Sequence, residues 1–138
     1  MSHPRIRIQA TITATREQVW RCWTAPEHIT RWNFASDDRR CPSARNELKV
    51  GGTYAARMEA KDGSFGFDFE AIYDEVVEPA RLGYTMADGR RASTDFTERD
   101  GSTTVTTTFD AEAVNDLEMQ RAGWQAILDN FKAYVESR

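Results

Sequence analysis

The stretch from Asn115 to Ser137 constrains this chain most, because its apolar residues fall at Leu117, Trp124, Ile127, Leu128, Phe131, Tyr134 and Val135. Recurrence at i, i+3, i+4 and i+7 marks a one-sided helix. Glu118, Gln125, Asp129, Lys132 and Glu136 fill much of the other side. Asn115 followed by Glu118 reads as an Asn-headed capping box that starts the helix. Helices gain most of their stability by packing, so a stripe this wide requires an apolar partner. Gly123 interrupts the stretch at a cost of roughly 1 kcal/mol relative to Ala. It implies either a close approach to the helix or a mild defect.

Strands upstream can supply that partner. Ile6, Ile8, Ala10 and Ile12 alternate with Arg5, Arg7, Gln9 and Thr11, the period of a half-buried strand. Thr15 and Gln18 form a capping box ahead of a helix carrying Val19, Trp20 and Trp23. Pro26 opens a second short helix, where its missing N–H costs nothing, and that helix ends near Trp32. Trp20 is expected in the core, and Trp23 and Trp32 on a pocket wall. Asn33 to Leu48 shows no clear period and is expected to be a long loop, with a short strand near Leu48 at most.

From Gly51-Gly52 onward the pattern is strand after strand. Tyr54, Ala56 and Met58 share one face, then Phe65, Phe67, Phe69, Ala71 and Tyr73, then Leu82, Tyr84 and Met86. Ala92, Thr94 and Phe96 follow, then Val105, Thr107 and Phe109. Asp62-Gly63, Asp88-Gly89 and Asp100-Gly101 are hairpin turns, because both residue types tolerate positive φ. Pro79 turns the chain between the second and third runs. The turns join four strands as an antiparallel meander, and the whole sheet is expected to have six or seven strands.

A helix is about 10 Å across, whereas strands lie about 4.8 Å apart. One helix cannot cover the aromatic face of a flat sheet that wide. The sheet must curl around it, and incomplete filling leaves an apolar cavity with a few polar points, the usual form of a small-molecule site. Tyr54, Tyr84, Thr94 and Thr107 are the expected polar points. The expected ligand-lining set is Trp23, Trp32, Tyr54, Met58, Phe67, Phe69, Tyr84, Met86, Thr94, Phe96, Trp124, Ile127 and Phe131.

Other chemistry is sparse. A net charge of −4 and a pI of about 5.2 argue against a nucleic-acid partner. No apolar run has the length of a membrane span, and no leader is read before Arg5-Ile6-Arg7-Ile8, so membrane insertion is not expected. Cys22 and Cys41 make neither a disulfide framework nor a metal cluster, which fits free thiols and a cytoplasmic location. No HExxH, CxxC, GxSxG, Walker or dinucleotide-binding pattern occurs, so no metal or cofactor is expected. His3 and His28 are read as terminal and exposed bystanders. Asp68 and Glu70 alternate with the phenylalanines and should face solvent. Asp37 and Asp38 sit on a loop able to reach a pocket mouth, and nothing in sequence marks Cys41 as a reactive thiol.

Several segments together resemble a known family. They are Trp20…Trp23…Ala25-Pro26-Glu27…Trp32, Leu48-Lys49-Val50-Gly51-Gly52, Glu78-Pro79-Ala80-Arg81-Leu82-Gly83-Tyr84-Thr85 and Gly123-Trp124…Leu128…Phe131…Tyr134. In this order they resemble the activator of heat shock protein 90 ATPase homologue family, within the START-like (SRPBCC, Bet v 1-like) superfamily. Trp32 to Asp38, Cys41-Pro42 and Met58 to Phe69 resemble its bacterial polyketide cyclase-like subgroup, although Arg39 and Arg40 depart from it. The resemblance spans nearly the whole chain. It implies one α+β domain over residues 1–138 with a helix-grip fold. In that fold a curved antiparallel sheet wraps a long C-terminal helix, with two short helices after the first strand. It also implies a pocket for hydrophobic molecules such as lipids or polycyclic aromatics.

Three functions are consistent with this reading, because fold does not fix function. The leading one is non-enzymatic binding of a small hydrophobic ligand. The second is a cyclase, dehydratase or hydrolase using Tyr54, Tyr84, Thr94 or the Asp37–Asp38 loop to polarise a carbonyl. The third is a chaperone ATPase regulator, for which no exposed basic or apolar run supplies a surface. A homodimer through edge strands is compatible with the pattern but not required by it.

Overall fold

The computed structural model describes residues 4–138, so His3 lies outside the described residues. Strand β1 (Arg5–Ile12) is followed by helices α1 (Arg16–Thr24) and α2 (Pro26–Trp32). Six further strands come next: β2 (Arg39–Asn46), β3 (Thr53–Ala60), β4 (Gly66–Val77), β5 (Arg81–Met86), β6 (Arg91–Arg99) and β7 (Ser102–Asp110). Helix α3 (Leu117–Glu136) ends the chain. The strands form one sheet in the order β1-β7-β6-β5-β4-β3-β2, every neighbouring pair antiparallel. This is the expected curled sheet around a terminal helix.

The meander from β3 to β7 has five strands rather than four, since the Pro79 turn between β4 and β5 adds a fourth connection to the three Asp-Gly hairpins. The hairpins sit where expected. At the β6–β7 turn Asp100 and Gly101 have φ of 53° and 80°, the left-handed pair that a two-residue hairpin needs. A register shift between Tyr73 and Glu75 in β4 bends the sheet over the helices. Before β3, a Cβ on Gly52 would stand 2.1 Å from the Glu47 carbonyl oxygen, so the chain crosses itself there only because that residue is glycine.

Two expectations are corrected. Arg39–Asn46 is the edge strand β2, not a loop. Only Cys41 in it is fully buried, and the register shift between Arg40 and Ser43 accommodates Pro42, as edge strands and bulges allow. Helix α3 is capped by Asp116, whose side chain accepts from Met119 N at 2.7 Å, rather than by Asn115. Asn115 turns back instead and donates from its backbone N and its Nδ2 to Glu112 Oε1. Glu118 pairs with Arg121, and Leu117 is 49% exposed because the first turn overhangs the sheet.

The core lies between sheet and helices. Phe96, Phe109, Phe131, Ile12, Ile29, Leu128 and Val19 are sealed inside it. Trp20 is buried and meets Phe96 edge-on at 5.4 Å, as expected for a core ring. Helix α3 also closes the β1 edge of the sheet. Gln125 receives Gln9 N and donates to Gln9 O, Lys132 Nζ donates to Thr11 O at 2.6 Å, and Glu136 accepts from Thr13 N at 2.9 Å. Unpaired edge groups invite another strand, and here side chains occupy them. At its start, Gln120 bonds to Glu112 and Asn115. Midway, Asn130 Nδ2 donates to Trp32 O at 2.8 Å.

Candidate functional site

The curl leaves a cavity of about 340 Å³ between the concave face and α3. Ten of the expected residues line it: Trp23, Trp32, Tyr54, Met58, Phe67, Phe69, Tyr84, Thr94, Trp124 and Ile127. Each arrives by the periodicity of its own element. Alternation turns Tyr54 and Met58 inward from β3, and Phe67 and Phe69 from β4. Trp124 and Ile127 lie three apart on α3, on the face that meets the sheet.

Met86, Phe96 and Phe131, expected on the wall, stand behind it. They are 5%, 1% and 0% exposed and belong to the sealed core. Phe131 supports the wall from the rear, with its ring 4.9 Å from Trp23 and 4.7 Å from Trp32. Those two tryptophans stack on each other at 5.0 Å. Two turns before Phe131 on α3, Trp124 stacks flat on Phe109 at 3.8 Å. Such contacts contribute about 0.5–1.5 kcal/mol beyond burial, which holds the rings as fixed plates. The sheet side is a mosaic in which Tyr54 and Tyr84 lie 6.1 Å apart and nearly parallel, with Phe69 edge-on to both. Phe65 and Phe67, expected inward, are 40% and 49% exposed. Phe67 is the second residue of β4 and reaches the cavity only at its margin, and Phe65 stands just ahead of the strand, under the Arg39 guanidinium.

The polar points are few. Thr94 and Thr107 share a hydrogen bond of 2.8 Å across β6 and β7. Tyr54 accepts from Asn33 Nδ2 at 3.3 Å, and Tyr73 donates to Asn46 Oδ1 at 2.8 Å. Burial pushes all three cavity phenols up, so they stay neutral hydroxyls. For Tyr84 the neighbouring Tyr73 adds to that effect, while the Arg90 charge opposes it.

Sequence reasoning missed Arg90 and Glu112, which also line the cavity. Arg90 follows the Asp88-Gly89 turn and Glu112 lies in the β7–α3 link, so neither falls on a periodic element. Asn33, another lining residue, belongs to the segment expected to be a loop.

The other candidates lie elsewhere. Asp37 and Asp38 are exposed and do not line the cavity, and Asp38 instead accepts from Ser36 Oγ. Asp68 faces solvent, as expected, and pairs with Arg57. Cys22 and Cys41 are buried free thiols whose burial pushes them up, away from the reactive thiolate. His28 is corrected from exposed to buried, 8% exposed, with Nδ1 2.6 Å from Tyr134 Oη. A second groove of about 220 Å³ lies on the convex face around Gly83. There Arg81 already spans Asp95 and Glu75, so its charge is matched.

A curved antiparallel sheet gripping a long terminal helix over an aromatic cavity defines a START-like protein of the helix-grip type. The sequence profile of the family described as activator of Hsp90 ATPase homolog 1-like protein matches residues 13–136, and the chain belongs to that family. Among solved structures, it is 46% identical to an AHSA1-like protein from Aeromonas hydrophila, with a TM-score of 0.91 over 97% of this chain and 93% of that one. A protein from Cytophaga hutchinsonii is 43% identical, with a TM-score of 0.83 over 96% and 92%. One from Chromobacterium violaceum, 21% identical at a TM-score of 0.86 over 96% and 98%, shares the fold. No curated protein matches the chain. Among the described residues no helix is long and apolar enough to cross a membrane.

Proposed function

We propose that this chain binds a small hydrophobic molecule, a compact lipid or a polycyclic aromatic, and acts as a carrier or sensor rather than a catalyst. One observation carries the reading. The cavity of about 340 Å³ is walled by rigid aromatic plates and has only a few polar groups. Small-molecule sites run from about 300 to 1,000 Å³ with this mixture of lining. The volume is at the low end, which suits a fused ring system or one short chain better than a two-chain lipid.

Selective binding to the folded state raises the melting temperature, by about 2.7 kcal/mol of added stability at a hundredfold excess over Kd. A thermal-shift screen of fatty acids, sterols, flavonoids and polycyclic aromatics should find stabilising ligands. Their titration should move the resonances of Phe67 and Trp124, on opposite walls, before those of the convex face. If nothing in such a library moves either residue, the binding reading is wrong. Turnover of a ligand that is lost in Tyr84→Phe would replace it with an enzymatic one.

A further inference from the structure

The hydrogen-bonding groups on the cavity wall are unbalanced. Tyr84 has no hydrogen-bond partner among the described residues, and its hydroxyl is not among the fully enclosed atoms, so it opens into the cavity. Tyr54 uses its oxygen to accept from Asn33, which leaves its proton to donate. The Thr94–Thr107 bond consumes one hydroxyl proton and leaves the other. Buried phenols that remain neutral are donors at any physiological pH.

Arg90 adds to this surplus. It is the only cation lining the cavity among the described residues, and its side chain is 17% exposed. Nε donates to Asp88 Oδ2 at 2.7 Å and Nη1 to the Asp110 carbonyl at 3.2 Å, while Nη2 has no partner among the described residues. A guanidinium carries five donors, so two bonds leave its outer edge free. Asp88, its carboxylate partner, is 54% exposed and therefore a weak counter-charge. Glu112 is the one carboxylate on the wall among the described residues, and its Oε1 is already engaged by two donors from Asn115. The wall thus offers several free donors around one positive charge at Arg90, while its one carboxylate charge stands in the β7–α3 link at Glu112.

We propose that the guest is an amphipathic organic anion, a carboxylate on a ring system or short chain. Its head meets the free Nη2 edge of Arg90 and the Tyr84 hydroxyl, and its body lies between the Trp23–Trp32 stack and Trp124. This rests on the binding reading above and names the ligand class for the same cavity. Arg suits the role because its planar fork matches a carboxylate.

The test compares 2-naphthoate with methyl 2-naphthoate by isothermal titration calorimetry at pH 7.5. The two probes share one ring system and differ in the charge. A charge-assisted hydrogen bond predicts that the acid binds the natural chain at least about tenfold more tightly. Arg90→Gln should bring the two within about threefold by weakening the acid far more than the ester, and Arg90→Lys should restore part of the gap. Tyr84→Phe should weaken both probes, since both present an acceptor. An ester that binds as well as the acid overturns the proposal, as does an Arg90→Gln chain that weakens both alike. The acid-to-ester ratio is measured on the natural chain, so it decides the matter even where Arg90→Gln fails to fold. If neutral hydrocarbons bind and naphthoate does not, the anion is excluded while the hydrophobic-binding reading stands. If no probe of either kind binds, both fall.

Discussion

At the scale of single residues, two positions are open to direct measurement. Gly123 is the anomaly of the terminal helix, and a Cβ added there meets nothing within 4 Å. No neighbour requires the glycine, so it is a helix defect. Gly123→Ala should raise stability by about 0.4–1 kcal/mol, mainly through the unfolded chain. That corresponds to about 2–5 °C in a denaturation scan, and a lower melting temperature would show that something does approach the helix there. His28 supplies a pH dependence. Burial pushes it below its usual 6.5, Arg138, Arg21 and Arg31 reinforce the shift, and Glu27 opposes it. Arg138 donates to Tyr134 Oη, whose proton then points at His28 Nδ1, an arrangement only the neutral ring accepts. The folded value is depressed, so the unfolded chain takes up the proton first. This contribution is complete above about pH 6.5 and is lost as the pH falls through the lower folded value. The melting-temperature gap between the natural chain and His28→Gln should therefore narrow from pH 7.5 to pH 5. A gap that stays constant would mean the ring does not titrate in that window.

At the scale of elements, the start of α3 is fixed by one side chain. Removing the Asp116 oxygen that accepts from Met119 N should cost about 1 kcal/mol, so Asp116→Ala should melt lower while Asn115→Ala changes little through the cap. Chemical denaturation of both variants would separate the two capping candidates. Most elements are legible in the sequence, because alternation and Asp-Gly turns leave few choices for β3 to β7. What escapes it is local. Strand β2 carries Arg39-Arg40 and Pro42 on a sheet edge where only Cys41 is buried, so the two-residue period has no run of buried members to reveal it. The adjacent capping residues Asn115 and Asp116 compete for one role, and composition does not choose between them. The cavity wall is legible wherever period two fixes an inward face, as at Tyr54 and Phe69. Arg90 and Glu112 project from a turn and a link, where no period applies. Met86, Phe96 and Phe131 also face inward, but depth below the wall depends on sheet curvature, which pattern alone does not set.

At the scale of the whole molecule, the cavity is a space that the fold could have filled. Ala92 lines it, paired with Tyr84 in β5 and Phe109 in β7. Ala92→Leu should cancel ligand-induced thermal shifts and keep the ligand-free melting temperature within a few degrees, since the added methyls enter open volume. A variant that still responds fully to ligand would place binding elsewhere. Helix α3 is tied near its start through Gln120, midway through Asn130 and near its end through Lys132 and Glu136. A lid fastened at its middle and its end does not lift there, so the doorway for a guest is expected past Phe67, the one exposed residue on the cavity wall among the described residues. Deuterium uptake should accordingly be fast in the β3–β4 tip, slow through the middle of α3, and slowed at the doorway alone once a guest is inside.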